Sequence, residues 1–385
     1  MRRSTGKLTP AWAVVALAAF LLAGCSAADE QAPAALGQAT PPTTTAPAAT
    51  PTGSAPVSAS SVPDLKVGAT VTTGLSAPWG LAFLPDGSAL VTQRDDGQLL
   101  RVPAGGGRAE PVGTVEGVVP DGEGGLLGIA VPAGPSPSYV MVYATAATDN
   151  RVIRIGWDGR RLGAQRAVLT GIPKGAIHDG GRLRFGPDGY LYVSTGDTGD
   201  RDLAQDGRSL AGKILRITGA GAPAPGNPVP GSPVWSLGHR NVQGLAFDSA
   251  GRLWASEFGQ DDLDELNVVR GAANYGWPLF EGPGEDPAYV DPRLTWPTSQ
   301  ASPSGIAIVD DVVYVATLRG RRLWQVPTTD GRAGEPRAWF TEEYGRLRAV
   351  EPAPGGGLWL MTNNTDGRGD PRPGDDRILQ VTLTP

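Results

Sequence analysis

The sequence predicts an all-β protein, a six-bladed β-propeller of four-stranded antiparallel blades, and three observations carry that expectation. Helical signals are scarce, while 55 glycines and 36 prolines among 385 residues punctuate short runs rich in Val, Leu, Tyr and Trp, the pattern of many short strands. One phrase recurs: an apolar pair, a tight turn, a strand and a polar exit. Its six copies are evenly spread, at about 50 residues per unit, the size of a propeller blade. A pair of β-sandwiches is the alternative, and it leaves the even spacing unexplained.

The chain opens with Arg2, Arg3 and Lys7, followed by an uncharged apolar stretch at 11–23. A spanning helix needs ~20 apolar residues, so this shorter stretch suits the h-region of a signal peptide. It ends in Leu22-Ala23-Gly24-Cys25, which resembles the bacterial lipoprotein cleavage box. Cys25 is the lone cysteine of the chain. It rules out a disulfide within one subunit and is expected to become the lipidated first residue; the alternative is a secretory signal with an incidental Cys. The expected location is therefore the cell membrane, lipid-anchored on its extracytoplasmic face. Residues 25–62 are almost entirely Ala, Pro, Thr, Ser, Gly and Gln. Such a composition cannot bury enough apolar surface to offset its ordering entropy, so this stretch reads as a tether for a domain over 63–385. The net charge of −6 becomes −9 once Arg2, Arg3 and Lys7 leave with the 1–24 leader. No basic run exists, which argues against a nucleic-acid partner.

Four strong copies of the phrase follow: LAFLPDGSALVTQ (81–93), LRFGPDGYLYVSTGD (183–197), LAFDSAGRLWASEFG (245–259) and VEPAPGGGLWLMTN (350–363). Two weaker ones are GLLGIAVPAGPSPSYVMVYAT (125–145) and GIAIVDDVVYVATL (305–318). Each reads as a hairpin, because a Pro-Asp-Gly or Ala-Gly corner supplies the fixed φ and the positive φ that a tight turn requires. No copy could bury its apolar face alone. In a propeller the loops of all blades converge on the axis, so residues as distant as His178 and Arg348 can share one site.

His178 and His239 are the only two histidines. Both lie in Gly-, Arg- and Asp-rich turn segments, where functional side chains are commonly presented, and histidine suits proton transfer near neutral pH. An isolated histidine is also often a hydrogen-bonded structural residue, and the residue pattern alone leaves that open.

The resemblance that decides between these readings spans nearly the whole domain, roughly 66–383. It runs through LSAPWGLAFLPDGSALVTQR (75–94), GEGGLLGIA (122–130), HDGGRLRFGPDGYLYVSTGD (178–197), GKILRI (212–217), WSLGHRNVQGLAFD (235–248), DELN (264–267), NYGWP (274–278), ASPSG (301–305) and GRLRAV (345–350). This series resembles the soluble quinoprotein sugar dehydrogenases, which use pyrroloquinoline quinone (PQQ) and calcium; GHRN, DELN and NYGWP in that order are its specific part. The resemblance implies that His178 is the base taking the proton of the anomeric hydroxyl and that Asp197 orients it, as in other base–orienter pairs. It implies that Arg240 stabilises negative charge on the quinone oxygen and that Asn241 hydrogen-bonds the cofactor. Arg346 and Arg348 match the pair that grips the PQQ carboxylates, a task suited to a bidentate guanidinium; by the period of two they share a strand face. Arg319 stands where a lysine would meet the quinone, and this chain has four lysines against 29 arginines. Calcium would be held by the main-chain carbonyls of Gly259 and Gln260. His239 and NYGWP, with a packed Trp277, read as structural. Asp264 and Glu265 of DELN hold their turn or bind a second calcium.

The chain departs from the family pattern at several contacts. Glu123 replaces a substrate-side Gln, Phe258 replaces a polar cofactor contact, and Ile177 stands where some members carry an acid before the base. The expected function is oxidation of the C1 hydroxyl of an aldose to a lactone, with electrons passed to an acceptor the sequence does not name. The alternative is a non-catalytic propeller lipoprotein serving as a surface binding or assembly module. A third reading, a metal-dependent hydrolase, is poorly served by two imidazoles.

Overall fold

The hairpins become the inner halves of six blades. A computed structural model describes residues 62–384; the leader, Cys25 and the tether up to residue 61 lie outside the described residues. Blade 1 comprises Pro78–Phe83, Ala89–Gln93, Gln98–Val102 and Glu110–Thr114, and blade 2 Leu126–Ala130, Tyr139–Thr145, Asn150–Trp157 and Leu162–Ile172. Blade 3 is Leu183–Phe185, Leu191–Ser194, Lys213–Ile217 and Val234–Leu237, and blade 4 Val242–Phe247, Leu253–Glu257, Leu263–Val269 and Leu294–Pro297. Blade 5 consists of Pro303–Val309, Val312–Thr317 and Leu323–Thr329, edged by Arg332–Ala333 and Arg337–Trp339. Blade 6 takes Leu347–Pro352, Leu358–Thr362 and Ile378–Thr384 from the end of the chain and its outermost strand, Asp64–Thr72, from the beginning. That last pairing is antiparallel, Asp64 opposite Thr384, and it closes the ring. Among the described residues the sole helical segment is a 3-10 turn, Arg201–Ala204.

The apolar residues of the described chain form six clusters, one at each interface between neighbouring blades. The second strand of each blade shows how. In blade 2, Met141 and Tyr143 pack toward blade 3 while Val140 and Val142 pack toward blade 1. In blade 6, Leu358 and Leu360 face blade 5 and Trp359 and Met361 face blade 1. Successive side chains point to opposite sides of a strand, so a strand buried on both faces is apolar throughout and feeds two cores at once. Each large side chain so buried contributes about 1.5–3 kcal/mol.

Two features of the innermost strands prepare the axis. First, neighbouring inner strands approach too closely for side chains at some positions: a Cβ on Gly128 would lie 2.1 Å from the Gly181 carbonyl oxygen of the next blade. Second, the ladder between the first and second strands is shifted near its start in blades 1, 2, 4, 5 and 6. A bulge re-aims the side chains beside it, and Trp79, Gln243, Ser304 and Arg348 stand at four of these shifts.

Antiparallel pairing also sorts the loops. Connections between second and third strands, and from a fourth strand to the next blade, all emerge on one face of the ring. That face carries Glu123, His178, Asp197, Arg240, Asn241, Gly259, Gln260, Arg319 and Arg346. The tight Pro-Asp-Gly turns lie on the other. The close approach at Gly128 sets a test: Gly128→Ala forces backbone apart at the axis and should cost about 3 kcal/mol, read as a lower urea midpoint with an unchanged m-value.

Candidate active site

The loop before blade 3 holds His178 in a left-handed conformation, φ 58°, which few non-glycine residues adopt without support. The support is specific. Its amide donates to Glu123 Oε2 at 2.9 Å, and its carbonyl accepts the Thr198 amide at 3.3 Å. Gly196 leaves room for that carbonyl, since a Cβ there would lie 1.8 Å from it. The imidazole Nδ1 meets Asp197 Oδ1 at 2.7 Å. With a carboxylate on Nδ1, the neutral ring carries its proton there and presents Nε2 as a base.

Asp197 is buried and fully engaged. Oδ1 also accepts the Gly199 amide at 2.8 Å, and Oδ2 accepts Trp277 Nε1 at 2.8 Å. Burial works against its charge, but these donors outweigh it and hold the carboxyl below its ordinary range. The Asp197 amide donates to the Arg240 carbonyl at 2.8 Å, and Asn241 Oδ1 accepts the Gly180 amide at 3.1 Å, so GHRN and the His178 loop are laced together. His239 turns away: buried, it contacts Ser236 Oγ and Glu257 Oε2, each at 2.9 Å, and stacks on Tyr275.

Toward the axis, side chains from five blades meet. Arg348 Nη1 donates to Gln243 Oε1 at 2.7 Å, and Arg182 Nε donates to the Gln243 carbonyl at 2.7 Å. Both guanidiniums lie over the Trp79 ring, at 5.6 and 4.2 Å from its centroid, and Ser304 Oγ is 3.4 Å from Arg348. Burial pushes Arg348 down to about 9 and Arg182 to about 10, so both stay charged at neutral pH. Arg346 and Arg348 converge on one carboxylate, Asp366, at 2.8 and 3.7 Å. Cations thus exceed carboxylates here. Several buried donors have no partner among the described residues: Arg182 Nη2, Arg348 Nε, Arg240 Nε and Asn241 Nδ2. Unpaired buried donors are costly, and a cationic, donor-rich chamber of this kind fits a polycarboxylate such as PQQ.

A salt bridge joins the two halves of the site. Glu123 Oε1 pairs with Arg368 at 2.5 Å, and the Arg368 amide donates to Asp366 Oδ1 at 2.9 Å. The departure from Gln to Glu at 123 is thereby matched by a cation. Burial opposes the charge on Glu123, yet Arg368 and the His178 amide keep its carboxyl below the ordinary range.

Other residues singled out in the sequence stand apart from this cluster. Arg319 is exposed and makes no hydrogen bond or ion pair among the described residues. The Gly259 amide donates to Asp264 Oδ1 at 2.9 Å, and the amides of Gln260, Asp261, Asp262 and Leu263 all reach Glu281 Oε1, at 2.6–3.1 Å. Among the described residues the Gly259 and Gln260 carbonyls accept no hydrogen bond, which leaves them free as oxygen ligands for a hard cation. Phe258 contributes its carbonyl to Arg240 Nη1 at 3.3 Å. Asp264 and Glu265 hold backbone, the first through Gly259 and Ser302, the second through Gly282. Sequence reasoning passed over Trp79, Arg182, Gln243, Asp366 and Arg368. The bulges that aim Trp79 and Gln243 inward leave no mark in a single sequence.

A propeller whose loop face joins a carboxylate-oriented histidine to a cationic axial chamber defines a narrow class, and comparison with known proteins agrees. Residues 75–371 match the glucose/sorbosone dehydrogenase family. The PQQ-bound structure of an aldose sugar dehydrogenase from Streptomyces coelicolor is 54% identical, with a TM-score of 0.81 covering 83% of this chain and 98% of that one. Aldose sugar dehydrogenase YliI of Escherichia coli is 29% identical over 76% of this chain and 89% of its own length. Quinoprotein glucose dehydrogenase B of Acinetobacter calcoaceticus is 32% identical over 57% of this chain and 54% of its own. The chain belongs to the glucose/sorbosone dehydrogenase family.

Glu265 supplies a pH test. Burial, with Glu257 nearby, pushes its carboxyl up to about 8. Between its ordinary range and that value folding takes up a proton, so its stability contribution is present at low pH and lost as pH rises through about 8. Asn267 can turn its unpartnered Oδ1 toward a new amide. Glu265→Gln should raise the thermal midpoint by about 4 °C at pH 9 and change it little at pH 5.

Proposed function

We propose that this protein is a PQQ-dependent aldose dehydrogenase that oxidises the C1 hydroxyl of a sugar to a lactone. The observation that carries the reading is the His178–Asp197 pair, 2.7 Å apart, set on the same face as unpartnered guanidinium donors. His178 Nε2 takes the hydroxyl proton, and the buried Asp197 carboxylate stabilises the imidazolium that forms. PQQ, when bound, supplies the acceptor for the hydride leaving C1. Arg346, Arg348 and Asn241 would hold it, and Arg240 would stabilise negative charge on its oxygen from a site whose dipoles are fixed in advance. Arg319, exposed on the loop face, would close over the cofactor from blade 5. Glu123, held by Arg368, bounds the sugar side. The Gly259 and Gln260 carbonyls would hold calcium.

The test starts from cofactor-free protein titrated with PQQ, with and without calcium, then given a panel of aldoses and a redox dye. Stoichiometric, calcium-dependent binding with dye reduction is expected. A folded protein that binds no PQQ would instead support a surface binding module. His178→Ala should retain PQQ and lose at least about a hundredfold in kcat; unchanged turnover would sink the mechanism. We further propose that Cys25 carries the lipid anchor on the extracytoplasmic face. Cys25→Ser should then move the protein from the membrane to the soluble fraction, and a variant still sedimenting with membranes excludes that anchor.

A further inference from the structure

Trp277 reaches the site by an unusual route. The connection from the third to the fourth strand of blade 4, residues 270–293, begins and ends on the face of tight turns. It nevertheless climbs the side of blade 3. Main-chain hydrogen bonds mark the ascent: the Ala272 amide to the Trp235 carbonyl, Leu237 to Ala273, Tyr275 to Leu237 and Trp277 to Gly238, at 2.9–3.1 Å. At the top the indole Nε1 donates to Asp197 Oδ2 at 2.8 Å. Two guanidiniums pack on its ring, with Arg201 Cζ 4.7 Å and Arg240 Cζ 5.4 Å from its centroid. Gln205 Nε2 secures its carbonyl at 2.6 Å.

We infer that Trp277 is a positioning residue for proton transfer, the group that fixes the Asp197 carboxylate so that Oδ1 meets His178. This rests on reading His178 as the base. A carboxylate held through one oxygen can turn about its Cβ–Cγ bond. With Gly199 and His178 on Oδ1 and the indole on Oδ2, that freedom is gone. The indole also draws off part of the carboxylate's charge, which sets how strongly Asp197 favours the imidazolium. Since the ring also packs against Arg240, one side chain supports both the base and the arginine that faces the developing charge.

Two histidines make this measurable without cofactor or substrate. Protein labelled with carbon-13 at histidine Cε1 gives two signals, and His239, enclosed by Ser236, Glu257 and Tyr275, is the internal control. Trp277→Phe keeps an aromatic ring but removes the donor. The His178 midpoint should rise by about half a pH unit while that of His239 stays in place. Gln205→Leu, which frees the Trp277 main chain and leaves the indole, should move His178 the same way by less, and it decides the matter if Trp277→Phe fails to fold. In the PQQ-loaded enzyme kcat should fall about tenfold, with KM within about twofold and the acidic limb of the pH profile following the new midpoint. A His178 midpoint unmoved or lowered, with His239 unchanged, overturns the inference. An inactive PQQ-loaded wild type would refute the dehydrogenase reading instead, and the titration would still report on Trp277.

Discussion

The pairing of Asp64–Thr72 with Ile378–Thr384 is the contact on which the ring depends. Among the described residues each hydrophobic cluster draws on at least two blades, so none of these cores belongs to a single blade. An open ring would leave the blade 6 and blade 1 faces each with half an interior and expose a sheet edge. The closing strand joins the two ends of the described chain in one ladder. With the circle complete, the inner strands are pressed together at the axis, and the bulged residues there have nowhere to point but toward one another.

That crowding sets the electrostatics. Trp79, Arg182, Gln243, Ser304 and Arg348 come from five blades and meet where water is scarce. Arg348 and Arg182 lose part of their basicity to burial, yet remain charged, and Asp366 is the carboxylate that meets Arg346 and Arg348. The protein thus maintains a cationic interior at a cost in stability. Such a cost is sensible where an anionic group is to be received, because the receiving dipoles need no rearrangement. The His178–Asp197 pair is joined to this chamber through Glu123, Arg368 and Asp366.

Much of this was legible in the sequence for a definite reason. The inner hairpins repeat one phrase, and a repeat is visible without knowing what it packs against. His178 and Asp197 stand nineteen residues apart, one just ahead of such a phrase and the other at its end, so the hairpin that predicts their fold also brings them together. What escaped notice lacks that local signature. The stretch 64–72 does not contain the phrase, and its partner lies at the far end of the chain. Arg182 is an ordinary strand-flanking arginine until Gln243 and Trp79 are placed around it. Trp277 was read as packing, because the route of residues 270–293 up the side of blade 3 is set by tertiary contacts. The expected strand-face partnership of Arg346 and Arg348 takes a different form as well: Arg346 precedes the strand, the ladder shifts between Leu347 and Ala349, and Asp366 brings the two guanidiniums together.

The alternation of side chains along the middle strands has a consequence for how such a molecule can change over generations. Since Met141 and Tyr143 serve one core and Val140 and Val142 another, inserting or deleting one residue in a strand exchanges the occupants of two cores together. Heritable variation in length is therefore confined to the connections. Those on one face are the same segments that carry Glu123, His178, Arg240 and Arg319. A lineage built on this ring can lengthen, shorten or recharge its site while its interior stays under strict selection, so chemistry diverges where architecture cannot.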